Sequence, residues 1–249
     1  MAHADIVEEA SALIVAASGN NLSLRLMGGI AVYLRSTTAA RRPELARAYA
    51  DIDLVAPKRS ARQLTELLTK AGYTPNQQFN ALNGSSRMLF YDQKYQRQID
   101  VFMGSFSMCH SLNLESRIVL AGPALSPSDL LLLKLQIVQL NKKDVTDTLA
   151  LLLSHEPTPK DEAHTLSTGY IANVCAADWG WYTTLSDNLK EVAARAESIL
   201  PAPDAATVKR RAGQLVQSLD NAPKSLGWKL RDKIGRRKIW YALPEEVQR

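Results

Sequence analysis

Strand-like patterns in this chain stop at Ser126-Pro127, and beyond that point every apolar pattern has helical spacing. Before it, residues 22–27 alternate apolar and polar side chains, and residues 50–55, 87–91, 98–103 and 116–120 read as further strands. Helical patterns occupy residues 6–17, 30–34 and 60–71, the last ended by Gly72. After the break, Ser126 is placed to cap a helix with Pro127 at its first position, running to about residue 140. Helices over residues 143–153, 162–176, 179–200 and 205–219 follow, separated by proline-bearing breaks. Strands first and helices afterwards predict an α+β half over residues 1–125 and an all-α half over residues 126–249.

A chain of 249 residues, 46% hydrophobic and 22% charged, suits one large domain or two small ones. No apolar run reaches the ~20 residues that span a bilayer. The N-terminus, Met1-Ala2-His3-Ala4-Asp5, lacks the basic and apolar regions of a signal peptide. A cytoplasmic location without a membrane partner is the default expectation. Cys109 and Cys175 stand alone, so buried free thiols are expected rather than a disulfide or zinc pair. His3, His110, His155 and His164 lack ligand spacing, and no Walker A or Gly-x-Gly-x-x-Gly loop is present.

Three short segments point to one kind of site: Gly28-Gly29 opening an apolar run, Asp51-Ile52-Asp53 in the second strand, and Asp100 in Gln98-Ile99-Asp100-Val101-Phe102. Residues i and i+2 of a strand share a face, so Asp51 and Asp53 project side by side. Asp100 can join them from a neighbouring strand. Three adjacent carboxylates repel one another unless a cation neutralises them, and an oxygen-only ligand set selects Mg²⁺ or Mn²⁺ over zinc.

In this order, the segments resemble the DNA polymerase β-like nucleotidyltransferase superfamily over roughly residues 20–150. The resemblance implies a mixed sheet with flanking helices and transfer of an NMP group from an NTP to an acceptor hydroxyl. It makes Asp51, Asp53 and Asp100 both the catalytic residues and the metal ligands, and gives Gly28 and Gly29 to the triphosphate. Such transfer needs in-line positioning and charge neutralisation rather than covalent help. The chain departs from the family's usual spacing: 21 residues separate Gly29 from Asp51, and residues 36–48 read as a helix extension or short insert. Arg41 and Arg42 in that stretch, and Arg87 and Arg97 beside the third acid, are further candidates for phosphate contact. Alternation puts Arg97 on the face opposite Asp100.

A second constellation, Lys134 with Lys142-Lys143-Asp144-Val145-Thr146-Asp147, is similar to a motif of the AbiEii-type abortive-infection toxins. Within the superfamily these are the members the chain most resembles. By that likeness Lys134, Lys143, Asp144 and Asp147 are nucleotide-binding residues lining a cleft between the halves, RNA or a tRNA end is the acceptor, and an antitoxin protein is a partner. Family members often carry Arg where Lys143 stands. The bland reading of the same residues is a solvated face with local ion pairs.

Basic charge concentrates at the C-terminus: residues 205–249 hold 11 Lys/Arg and 4 Asp/Glu, whereas residues 1–204 hold 19 and 21. Lys229, Arg231, Lys233, Arg236, Arg237 and Lys238 are interleaved with Trp228, Trp240 and Tyr241, a mixture that suits a nucleic-acid surface. The competing expectation is an amphipathic helix that buries Leu226, Leu230 and Ile234. Two other functions remain open on this sequence: nucleotidylation of a small molecule, as in antibiotic-modifying relatives, or of a protein, and a catalytically silent nucleic-acid-binding module.

Overall fold

The computed structural model describes residues 3–243, so Met1, Ala2 and residues 244–249, the end of the predicted helical half, lie outside the described residues. The chain is mixed α/β and divides into two compact units. One holds residues 1–34, 47–106 and 112–125; the other holds residues 35–46, 107–111 and 126–249.

The first unit is built on a five-stranded mixed sheet. Its elements are α1 (Ile6–Gly19), β1 (Arg25–Leu26), α2 (Gly28–Arg35), β2 (Asp51–Ala56), α3 (Ala61–Lys70), β3 (Thr74–Pro75), α4 (Gln77–Asn83), β4 (Arg87–Asp92) and β5 (Arg97–Met103). The strand order is β1-β2-β5-β4-β3; β2 and β5 run parallel and the other pairs antiparallel. Asp5 starts α1 by accepting the Val7 and Glu8 amides at 2.8 and 2.9 Å. Period-2 alternation sorts the two inner strands. Ile52, Leu54, Phe90, Ile99 and Val101 are fully buried, while Asp51, Asp53, Arg87, Asp100 and Phe102 share the other face. Arg97, opposite Asp100 as alternation requires, is buried in a pair with Asp92 and donates to the His3 carbonyl at 2.8 Å.

Two short strands follow, β6 (Ser105–Ser107) and β7 (Ser111–Asn113). The strand expected over residues 116–120 is absent. The Leu114 carbonyl instead accepts the Arg117 and Ile118 amides at 2.8 and 2.9 Å, so the chain turns. Leu114 and Ile118, four residues apart, are thereby both buried. At the other end of the sheet the expected strand over 22–27 shortens to β1, which pairs with β2 through Arg25 and Leu26.

The second unit carries α5 (Pro127–Leu135), α6 (Lys142–Ser154), α7 (Thr168–Ala177), α8 (Trp179–Ile199), α9 (Ala202–Asn221) and α10 (Leu226–Ile234). Ser126 caps α5 as its sequence position suggests. That helix ends at Leu135, short of residue 140, where Asn188 of α8 donates to the Leu135 and Ile137 carbonyls, both at 2.7 Å. The expected helix over 162–176 begins only at Thr168. Upstream, Thr165 Oγ1 ties a turn to Lys160 and Glu162, and the short strands β8 (Pro157–Thr158) and β9 (Leu166–Ser167) pair in parallel. Residues 36–48 form neither a helix extension nor a strand but two 3-10 turns, Thr38–Ala40 and Pro43–Leu45. The Thr37 amide bonds Ser154 at 3.0 Å, and Arg42 pairs with Asp204 at 2.5 Å. Cys109 and Cys175 are both buried free thiols. Among the described residues no helix is long and apolar enough to cross a membrane.

Candidate functional site

The parallel pairing of β2 with β5 places Asp51 opposite Gln98 and Asp53 opposite Asp100. Paired residues of neighbouring strands point to the same face, so the three aspartates expected to converge do share one sheet face. The turn after β1 presses on them. Gly28 sits at φ +66°, a left-handed conformation that glycine adopts without strain. A Cβ at Gly28 would lie 2.0 Å from Asp53 Oδ2 and 2.9 Å from its Cγ, so the missing side chain is the space the carboxylate occupies. Gly29, the next residue of α2, plays the same part for Arg47: a Cβ there would lie 1.7 Å from a guanidinium nitrogen.

Two arginines supply the positive charge. Arg87, on β4 one strand beyond Asp100, grips it with the Nε–Nη2 edge of its guanidinium. Nε donates to Oδ1 at 2.7 Å and Nη2 donates to Oδ2. The Asp100 side chain is only 6% exposed, so this bidentate pair is its main compensation. Arg87 also lies over the rings of Phe102 and Phe79, at 5.1 and 5.9 Å. The Asp100 carboxylate holds the Arg87 guanidinium above its usual pKa, and Asp53 adds to that effect. Arg47 stacks over Tyr49 at 4.7 Å, and Tyr49 in turn faces Tyr33 at 6.1 Å. Among the described residues no three His, Cys, Asp or Glu side chains meet as a metal cage. Both Asp100 oxygens accept a hydrogen bond from Arg87.

Lys134, Asp144 and Asp147 are brought together inside the helical unit as a largely buried ion triad. Lys134 Nζ lies 2.8 Å from Asp147 Oδ2 and 3.5 Å from Asp144 Oδ1. Asn141 caps α6 on the Asp144 amide at 3.0 Å. Burial pushes the Asp144 carboxyl up in pKa against the pull of Lys134, and its Oδ2 has no hydrogen-bond partner. Lys143 is exposed and does not join them.

The C-terminal segment departs from the expected amphipathic helix. Leu226, Leu230 and Ile234, expected to be buried, are exposed. The helix turns its tryptophan face inward instead: Trp228 Nε1 donates to the Cys175 carbonyl at 3.1 Å, and its ring meets Tyr182 edge-on at 5.1 Å. Of the six basic residues expected to contact nucleic acid, two are committed within the fold. Arg231 donates to the Gly235 and Lys238 carbonyls and covers Trp179 at 4.4 Å. Arg236 holds Asp187 with contacts of 2.6 and 2.8 Å. Lys229, Lys233, Arg237 and Lys238 are exposed, with no side-chain ion pair among the described residues.

Neither a scan against protein-family models nor a search of curated proteins returns a match to this chain.

Arg47 is the site residue that sequence reasoning misses. Its guanidinium beside the Gly28-Gly29 turn is set by the path of the long loop before β2, which has no local signature. Arg87 was legible as a neighbour of the third acid. Its grip on Asp100 follows from the antiparallel register, with Leu89 opposite Asp100 and Arg87 opposite Phe102.

Proposed function

We propose that this chain is a metal-dependent nucleotidyltransferase that moves an NMP group from an NTP to an acceptor hydroxyl. The observation that carries the reading is the register of Asp53 against Asp100, with Asp51 on the same face and the Gly28 turn seated on the Asp53 carboxylate. The donor set fits a hard divalent cation at Asp51 and Asp53, two half-buried residues that carry only oxygen donors. Asp100 is held beside them by Arg87, which donates one hydrogen bond to each of its oxygens.

When bound, Mg²⁺ or Mn²⁺ neutralises phosphate charge and polarises the phosphoryl centre. The chain's own residues do the positioning. The backbone at Gly28-Gly29 opens α2 without side chains in the way, a setting where N–H groups meet phosphate oxygens. Arg47, laid on Gly29, adds a guanidinium beside that turn. Arg87 fixes the orientation of Asp100 and lowers the repulsion among the acids. RNA is the acceptor that the exposed Lys229, Lys233, Arg237 and Lys238 favour, through phosphate contacts. An AbiEii-like action on a tRNA end, with an antitoxin counterpart, is the form of this proposal that the sequence motifs suggest.

A second reading has its own support. The Arg87–Asp100 pair balances the acidic face without any metal, as a catalytically silent nucleic-acid-binding module on the same fold requires. Incubation with each labelled NTP, Mg²⁺ and total RNA separates the two. Label entering RNA, lost in Asp53→Asn while the thermal unfolding curve stays cooperative, supports transfer. RNA binding without transfer, and without a thermal shift for any Mg²⁺–NTP pair, selects the silent module. Label appearing on a small molecule or on protein keeps the chemistry and replaces the acceptor.

A further inference from the structure

Large apolar side chains left exposed are few among the described residues, and most of them lie in one stretch. Val15, Leu82 and Val119 are scattered, whereas Leu226, Leu230, Ile234, Ile239 and Leu243 crowd into the last described residues. On α10, Leu226, Leu230 and Ile234 are 80%, 62% and 46% exposed. Spaced four residues apart, they form one continuous row along the helix. Lys229 and Lys233, each one position before a member of the row, border it on one side and are exposed.

The helix cannot roll to hide this row. Its opposite face is anchored by Trp228 on the Cys175 carbonyl, by the 2.6 Å bond from Trp179 Nε1 to Asp232, and by Arg231 over Trp179. Ser225 caps its start at the Trp228 amide. The exposed row is therefore fixed in place, and contiguous apolar surface of this kind marks an interaction site.

We propose that the outer face of α10 is a docking seam for an acidic amphipathic helix of another protein. An apolar row at i, i+4 and i+8 is the width of contact that one helix offers another. The lysines on its border select carboxylates and reject basic partners. A second copy of this chain is disfavoured, because a two-fold contact would set Lys229 and Lys233 against their own counterparts. Nucleic acid would use the lysines and leave the apolar row in water. An anionic bilayer favours basic residues on both borders of an apolar face. Here the other border is Gly227 and Arg231, and Arg231 is bound to backbone carbonyls. The proposal does not rest on the sheet-face chemistry of the nucleotidyltransferase reading, but it assigns Lys229 and Lys233 to a protein partner and leaves the exposed Arg237 and Lys238 for RNA phosphates.

The probe is a fluorescein-labelled synthetic helix with a leucine row bordered by glutamates, titrated with the full chain and followed by fluorescence anisotropy. Saturable binding that weakens with salt is expected. Leu230→Glu should raise Kd about tenfold or more, as removing ~1.4 kcal/mol of contact would. Lys229→Glu with Lys233→Glu should do the same, and a lysine-bordered version of the probe should recover binding to that double variant. All these side chains are exposed, so circular dichroism should show unchanged folding. Absence of binding, or binding indifferent to Leu230→Glu, overturns the proposal. So does sedimentation with phosphatidylserine vesicles, or a dimer in analytical ultracentrifugation, that is lost in Leu230→Glu.

Discussion

Substituting Gly28 with alanine tests the geometry of the acidic face most directly. The backbone there has φ +66°, which costs an L-residue about 1–2 kcal/mol. The lower entropy of alanine in the unfolded chain returns part of that, about 0.4–1 kcal/mol. It also weighs on the native side, because the new methyl group would stand 2.0 Å from Asp53 Oδ2. An ordinary contact needs well over an ångström more, so the carboxylate must swing off its rotamer at a cost of roughly 0.5–1.5 kcal/mol. The sum is a loss of about 0.5–3 kcal/mol, or roughly 1–12 °C in Tm for a chain of this size. Function should suffer more than stability: displacing a positioned group by about 1 Å costs on the order of 100-fold in rate. The design is a cycle of Gly28→Ala, Asp53→Ala and the double variant, with thermal unfolding read by circular dichroism and transfer measured for Gly28→Ala. In the Asp53→Ala background the clash with the carboxylate vanishes, and only the backbone cost and a 3.0 Å approach to the residue-53 Cβ remain. Wild-type transfer by Gly28→Ala, or an equal stability cost in both backgrounds, refutes the contact between this turn and the Asp53 carboxylate.

Two further outcomes follow from buried charge in the helical unit. Lys134→Met leaves Asp144 and Asp147 without their ammonium and should cost roughly 3–5 kcal/mol in urea denaturation, whereas Asp144→Asn should cost less, because Lys134 keeps Asp147 at 2.8 Å, loses only the longer 3.5 Å pair to Asp144 Oδ1, and Oδ2 has no partner to lose. His155 is driven down from 6.5 to about 4, first by burial and then by the nearby positive charges of Arg35 and Arg211, although its Nε2–H donates to the Arg35 carbonyl at 2.9 Å. Its native pKa lies below its unfolded one, so its contribution is present above pH 6.5 and is lost as pH falls towards 4, at up to about 1.4 kcal/mol per pH unit. Tm measured across that window should fall less steeply in His155→Gln than in the wild type, and parallel curves would exclude the assignment.

What was legible in the sequence is what depends on neighbours along the chain. Asp51 and Asp53 share a face because a strand has period two, and Ser126 caps α5 because Ser-Pro leads directly into an apolar run. The alignment of Asp53 with Asp100 is a matter of strand pairing, which residues 50–103 permit in several registers. Arg47 reached Gly29 through a loop whose course is set by distant contacts. The row Leu226, Leu230 and Ile234 shows the limit most clearly. Its spacing is the same for a buried and for an exposed face. The decision lay with Trp228 and Arg231 on the other side, whose partners Cys175 and Trp179 are remote in sequence.

The sharing of residues 35–46 and 107–111 with the helical unit has a covalent consequence. The backbone passes from one unit to the other and back before the sheet is complete, so the two are laced together rather than strung in series. During synthesis, α6 is made long after Thr37, yet the Thr37 amide waits for Ser154. A ribosome-bound intermediate ending at residue 125 therefore carries a loop whose partners do not yet exist. Cutting the gene at Ser126 would not yield two independent halves, since the helical piece would lack its own Arg42, the ion-pair partner of Asp204. Separation would require permuting the chain order, not dividing it.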